Sequence, residues 1–113
     1  MMEYTQNVLG TDYRVLMGTK EEIGLDEDHM GMCKVFAKDI LVHIGADDCD
    51  EKELRVRTKE IVAHEFFHAY LNEVGLELEP EVEERLADFF MKNWQKMNNS
   101  ILEVLDKSGF LDC

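Results

Sequence analysis

The distribution of hydrophobic residues divides the chain into an extended first part and a helical second part. Short apolar runs dominate the first part: 13–17 follows a Gly-Thr-Asp turn and predicts a strand. The runs 33–37 and 40–44 flank Lys38 and Asp39, which predicts a β-hairpin. Between these strands, 19–30 is polar and acidic and predicts a loop.

From about residue 50 the apolar residues recur at three- and four-residue steps, which is typical of helices. A first helix is predicted from about Asp50 to Val74. Asp47, Asp48 and Asp50 are alternative N-caps, and Gly75 is a suitable C-cap.

A second helix is predicted from Pro80, the only proline, which fits a first helical turn. It should end near Lys107, before Ser108 and Gly109. An apolar stripe, in which only Asn93 is polar, follows the helix: Val82, Leu86, Phe89, Phe90, Asn93, Met97, Ile101, Val104 and Leu105.

Length and composition are those of one small globular domain. The chain has 113 residues, of which 45% are hydrophobic, so we expect a single folded domain over 1–113 rather than disorder. Strands followed by helices predict an α+β fold, with a small antiparallel or mixed sheet before two long helices.

The chain is strongly acidic, with 25 acidic and 12 basic residues and a net charge of −13. The acids cluster in 21–28, 47–53 and 77–84, where solvated loops and helix starts are the preferred interpretation. This excess disfavours a phosphate backbone or an anionic membrane as a partner, so we expect neither nucleic acid nor membrane. Attraction to a basic partner and mimicry of nucleic acid are the alternatives.

The N-terminus lacks the basic segment and apolar run of a signal peptide, and no uncharged stretch approaches the length of a membrane span. Cys33, Cys49 and Cys113 are odd in number and show no C-x-x-C spacing. We therefore expect free thiols and a cytoplasmic location, with Cys49 as a bystander near the start of the first helix.

His64, Glu65 and His68 form an H-E-x-x-H sequence inside the first predicted helix. Residues four apart lie on one helix face, so both imidazoles can reach one metal ion. Zinc accepts neutral imidazoles together with a carboxylate, and Glu65 is close enough to take a proton from a water that the ion activates. The pattern predicts a Zn²⁺ site with Glu65 as general base. Two histidines bordering the core are the structural alternative.

The second predicted helix offers a third ligand. Glu84 and Asp88 are four residues apart, so Glu84 could bind the metal while Asp88 accepts a hydrogen bond from a ligand imidazole. Ala87 is small and would let the two helices approach closely. Glu83 lies nearer the centre of the apolar stripe and is the competing ligand.

These residues resemble the zincin metallopeptidases whose third ligand is a glutamate, and most closely the compact phage- and prophage-associated metallopeptidases of the ImmA/IrrE kind. The likeness extends to 8–15, which is similar to their opening strand, to the hairpin through 40–44, and to 58–63, which leads into the motif. It implies a minimal zincin-like domain that hydrolyses a peptide bond, in some members within a repressor or regulatory protein.

Carried over to this chain, the resemblance implies that His64, His68 and Glu84 are zinc ligands, that Glu65 is the general base and that Asp88 supports a ligand. We expect no helix-turn-helix or other appended domain, which would be a departure from the family. Glu84 follows His68 by only 16 positions, and no clear oxyanion-stabilising residue follows the third ligand.

An oxyanion donor would have to come from elsewhere in the chain, and His43 and Tyr70 are the candidates. A structural or surface role is the preferred interpretation of both, and also of His29 in the acidic loop.

Two functions of different classes remain. The first is a zinc peptidase that binds an extended protein or peptide segment along the sheet edge. The alternative is a non-catalytic, zinc-stabilised acidic interaction module of phage or prophage origin. The sequence leaves the substrate and the oligomeric state open.

Overall fold

The computed structural model describes residues 1–45 and 50–110 and has the α+β fold expected from the sequence. A four-stranded mixed sheet is formed by β1 (Met2–Val8), β2 (Thr11–Gly18), β3 (Gly31–Lys34) and β4 (Asp39–His43). The helices are the short α1 (Lys20–Ile23) and the long α2 (Glu51–Val74) and α3 (Pro80–Ser108).

The strand order is β1-β2-β4-β3. The pairs β1–β2 and β3–β4 are antiparallel, whereas β2 and β4 run parallel. β3 is therefore an edge strand, and it lies against α2.

The first strand pair differs from the expectation. The sequence pattern does not predict β1, because six of its seven residues are exposed and only Val8 joins the core. The turn lies at Leu9 and Gly10, whose φ angles of 49° and 95° are both left-handed. The segment 8–15, which resembles an opening strand, therefore contains the end of β1, the turn and the first part of β2.

The predicted β3–β4 hairpin is confirmed, but its turn lies earlier in the chain than the predicted Lys38 and Asp39. Lys34 pairs with Asp39, so residues 35–38 form the connection and Lys38 takes a left-handed φ of 58°. Asp39 belongs to β4 rather than to the turn. The predicted loop 19–30 also contains α1, which Thr19 and Glu22 start with a capping box.

The two faces of the sheet are covered by different elements. Tyr13, Val15, Ile40 and Val42 pack in one cluster with Ile61 of α2. Leu16 and Leu41 point to the opposite face and pack there with Ile23 and Leu25. Because successive side chains of a strand alternate in direction, position along the strand decides which residues can face α2.

The first long helix is confirmed. The Asp50 carboxylate accepts a hydrogen bond from the Glu53 backbone N–H, and Gly75 ends α2 with a φ of 73°. The alternative caps Asp47 and Asp48 lie outside the described residues, as do Cys49 and Cys113.

α3 is also confirmed, but only part of its apolar stripe packs against α2. Ala87 is fully buried at the helix contact, as its small size predicts, and the Phe90 ring lies 5.4 Å from that of Phe67. Six stripe residues remain 42–65% exposed: Val82, Leu86, Phe89, Met97, Ile101 and Val104. No helix in the described part of the chain is long and apolar enough to cross a membrane.

Candidate metal centre

The two histidines of the H-E-x-x-H sequence and one carboxylate of α3 converge on a single point. The Nε2 atoms of His64 and His68 are 3.3 Å apart. The Glu84 carboxylate lies 3.1 Å from Nε2 of His64 and 2.9 Å from Nε2 of His68. One ligand atom from each residue lies within 4.8 Å of the others, so this group could hold a metal ion.

The positions of these residues follow from the packing of the helices. His64 and His68 are one helical turn apart on α2, at the edge of the face that packs against the sheet. The buried Ala87 allows α3 to approach there. Glu84 lies one turn before Ala87 and therefore reaches the histidines.

A second carboxylate lies behind each imidazole. Oδ1 of Asp88 is 3.1 Å from Nδ1 of His64, and Glu83 is hydrogen bonded to Nδ1 of His68. A carboxylate at Nδ1 favours the tautomer that carries its proton there, which leaves the Nε2 lone pairs directed inward. Two imidazole nitrogens and a carboxylate that face one point form a donor set that fits zinc.

The geometry separates the two glutamates that the sequence left in competition. Glu84 contacts the inward Nε2 atoms of both histidines, whereas Glu83 contacts only the outer nitrogen of His68. Of the two glutamates, Glu84 is therefore the one placed where a third ligand would lie. Glu83 lies behind His68 in the same way that Asp88 lies behind His64.

Glu65 lies beside this cluster and is almost buried, with 7% of its surface exposed. Its Oε2 is 4.0 Å from Nε2 of His64. Burial raises the pKa of the Glu65 carboxyl, and the neighbouring His64 and His68 partly oppose that rise. The carboxylate is close enough to act on a water at the cluster without occupying the ligand position.

Gly31, at the start of β3, belongs to the site although it is not part of the H-E-x-x-H sequence. A Cβ at this position would lie 2.9 Å from Oε2 of Glu65 and 2.7 Å from Cγ2 of Ile61. Only glycine lets β3 approach α2 this closely. The edge strand and the general-base candidate are therefore packed directly against each other.

A cleft of about 370 Å³ opens over the cluster. Its walls come from the β3 edge, the loop before it and the two long helices: His29, Gly31, Met32, Cys33, Val35, His64, Glu65, His68, Glu83 and Glu84. Burial raises the pKa of the Cys33 thiol to about 12, so it is neutral at pH 7.

Neither predicted oxyanion donor reaches this cleft. Tyr70 follows His68 by two positions, about 200° around α2, and lies half-exposed on the opposite side of the helix. His43 follows Val42, so its side chain points to the sheet face away from α2, and its buried Nδ1 has no hydrogen-bond partner among the described residues.

His29 reaches the cleft instead, although a surface role was the preferred interpretation of this residue. Nδ1 of His29 lies 2.7 Å from Oδ1 of Asp26, which leaves Nε2 as the remaining polar atom of the ring. The hydrogen bond to Asp26 raises the pKa of His29. No sequence signal distinguishes this histidine, because the loop that carries it has no regular pattern.

Comparisons with protein-family models, curated proteins and solved structures give no match to this chain.

Proposed function

We propose that this protein is a zinc-dependent peptidase whose active site is the cleft above His64, His68 and Glu84. The observation that carries the proposal is the convergence of the three inward ligand atoms next to a nearly buried Glu65, within an open cleft. A purely structural histidine pair would not require a carboxylate behind each ring and a further one between them.

Zinc held by these residues would lower the pKa of a coordinated water and polarise the carbonyl of the scissile bond. Glu65 then acts as general base, taking the proton from the attacking water and returning it to the leaving amine. Glu83 and Asp88 hold the two imidazoles in the tautomer that ligation requires.

The substrate is an extended segment that lies along β3. This strand pairs with β4 on one side, and no described strand pairs with it on the other. Gly31, Met32 and Cys33 of β3 line the cleft, so a peptide added to this edge would pass over the cluster.

His29 supplies the donor that the motif lacks. In its protonated form, which Asp26 favours by raising the pKa of the ring, His29 donates from Nδ1 to Asp26 and can donate from Nε2 toward the negative charge that develops on the carbonyl oxygen. This role replaces the one that the sequence suggested for His43 and Tyr70.

The resemblance to the ImmA/IrrE-like metallopeptidases belongs to this proposal, together with a phage or prophage origin and a regulatory or repressor protein as the substrate. It rests on the H-E-x-x-H sequence and on Glu84 and Asp88 of α3. The geometry of these residues agrees with the roles that the family implies.

A non-catalytic zinc-stabilised interaction module is the second candidate. It is favoured by the net charge of −13 and by the exposure of Glu84 and Asp88, whose side chains are 59% and 57% accessible at the cleft mouth. Such a module would bind a basic segment there without cleaving it.

The variant Glu65→Gln distinguishes the two candidates. We expect it to retain zinc but to cleave a fluorogenic peptide library at least about 100-fold more slowly than the wild type, since general-base catalysis typically contributes that much. Glu60→Gln, on the same helix but outside the cleft, is the matched control and should cleave normally. Zinc binding without cleavage by the wild type favours the module, and equal cleavage by Glu65→Gln refutes the mechanism.

A further inference from the structure

The second half of α3 exposes its apolar side chains. From Gln95 to Phe110, where the described part of the chain ends, every side chain except Leu105 is exposed. Met97, Ile101 and Val104 are 54%, 55% and 65% accessible. A lone helix of about 14 residues is only marginally stable in water, so this segment requires a surface to pack against.

An apolar groove lies on the same molecule, between α2 and α3. It has a volume of about 360 Å³ and is lined mainly by apolar side chains: Thr58, Lys59, Val62, Ala63, Phe66, Tyr70, Phe90 and Trp94. Val62 and Phe66 precede His64 and His68 by two positions, about 200° around α2. The groove therefore lies on the side of α2 away from the metal cluster.

The chain cannot cover its own groove with its own α3. Between Pro80 and Gly109 the helix contains no glycine or proline, so it is one continuous rod of about 43 Å. A rod of this kind cannot fold back onto the surface from which it extends. The same helix of a second copy is free to lie there.

We propose that two copies of this chain form a dimer, in which the second half of each α3 packs into the groove of the other copy. Met97, Ile101 and Val104 of the second half together with the groove walls offer on the order of 400 Å² per copy, about half of the ~800 Å² per partner of a standard interface, so we expect a weak dimer that forms as the concentration rises. The whole exposed stripe of α3 is an apolar surface large enough on a monomer to indicate an interaction site. Because the groove faces away from His64 and His68, the dimer leaves the cleft open, and this inference does not depend on the proposed function.

The test is the molar mass of the full chain in solution, measured by sedimentation velocity from about 5 to 200 μM. We expect a concentration-dependent dimer for the wild type. Ile101→Glu, on the stripe, and Tyr70→Glu, on the groove, should each weaken the dimer at least tenfold. Both positions are about half exposed, so the fold should persist, as circular dichroism can verify.

Asn99→Glu is the matched control, because it adds the same charge about 200° around the helix from Ile101. It should dimerise like the wild type. A wild type that stays monomeric at 200 μM overturns the proposal, since the stripe would then serve a different partner. A dimer that Ile101→Glu and Tyr70→Glu leave intact overturns it as well.

Discussion

At the scale of single residues, the sequence predicts site residues where their spacing along one helix fixes their relative positions. His64, Glu65 and His68 lie within one helical turn, so their relation follows from the helix alone. Glu83 was not separable from Glu84 in this way, because its contact with His68 depends on how α3 is placed against α2. His29 was not found at all, since its position depends on an irregular loop.

His29→Gln tests the proposed donor. We expect kcat to fall by about 100-fold, the loss typical of one oxyanion donor, with little change in KM or in bound zinc. Asp26→Asn should cause a smaller loss, because it leaves the His29 ring in place but no longer fixes its orientation. Unchanged turnover in His29→Gln would remove this residue from the mechanism.

At the scale of elements, the two long helices were predictable almost to the residue, because Asp50, Gly75, Pro80 and Gly109 mark their ends, whereas α1 was not predicted. The sheet was less predictable from the sequence than these helices. β1 is an edge strand with little side-chain pattern, and the β2–β4 pairing joins segments that are distant in sequence. The close approach of β3 to α2 at Gly31 is likewise a tertiary feature.

Gly31→Ala should disturb both stability and the site. The added methyl would collide with Ile61 and Glu65, so we expect a loss of about 1–3 kcal/mol in the free energy of unfolding, the usual effect of overpacking. Cleavage should fall further than stability explains, because the Glu65 carboxylate is displaced. Lys34→Ala, at the exposed end of the same strand, is the control, and equal effects of the two changes would exclude the close contact.

Glu73 joins the end of α2 to the sheet and should make stability depend on pH. Its carboxylate accepts hydrogen bonds from Thr11, Tyr13 and Lys38, which lower its pKa from 4.5 to about 2. A lowered pKa means that the stabilisation is complete above about pH 4.5 and is lost as the pH falls toward 2.

Glu73→Gln should therefore be less stable than the wild type at pH 7, and the difference should narrow as the pH falls from about 4.5 to 2. Urea unfolding across this range provides the measurement. Glu77→Gln, at an exposed position of the following loop, should show no such trend. A difference for Glu73→Gln that stays constant with pH would contradict the assignment.

At the scale of the whole molecule, the α+β order and the location of the candidate site follow from the sequence, but the surface does not. The periodicity of the α3 stripe predicts a buried helix face, whereas six of its residues are exposed. Periodicity shows that a helix has an apolar side and does not show which molecule covers it.

The central claim is that one zinc ion is held by His64, His68 and Glu84, and the zinc content of the purified chain tests it most directly. We expect one zinc per chain in the wild type and in Glu65→Gln, and loss of zinc in Glu84→Ala. Glu83→Gln should bind zinc about 10–100-fold more weakly than the wild type, since it removes only the support behind His68. A wild type that binds no zinc, or a Glu84→Ala variant that binds it as tightly as the wild type, would contradict the account.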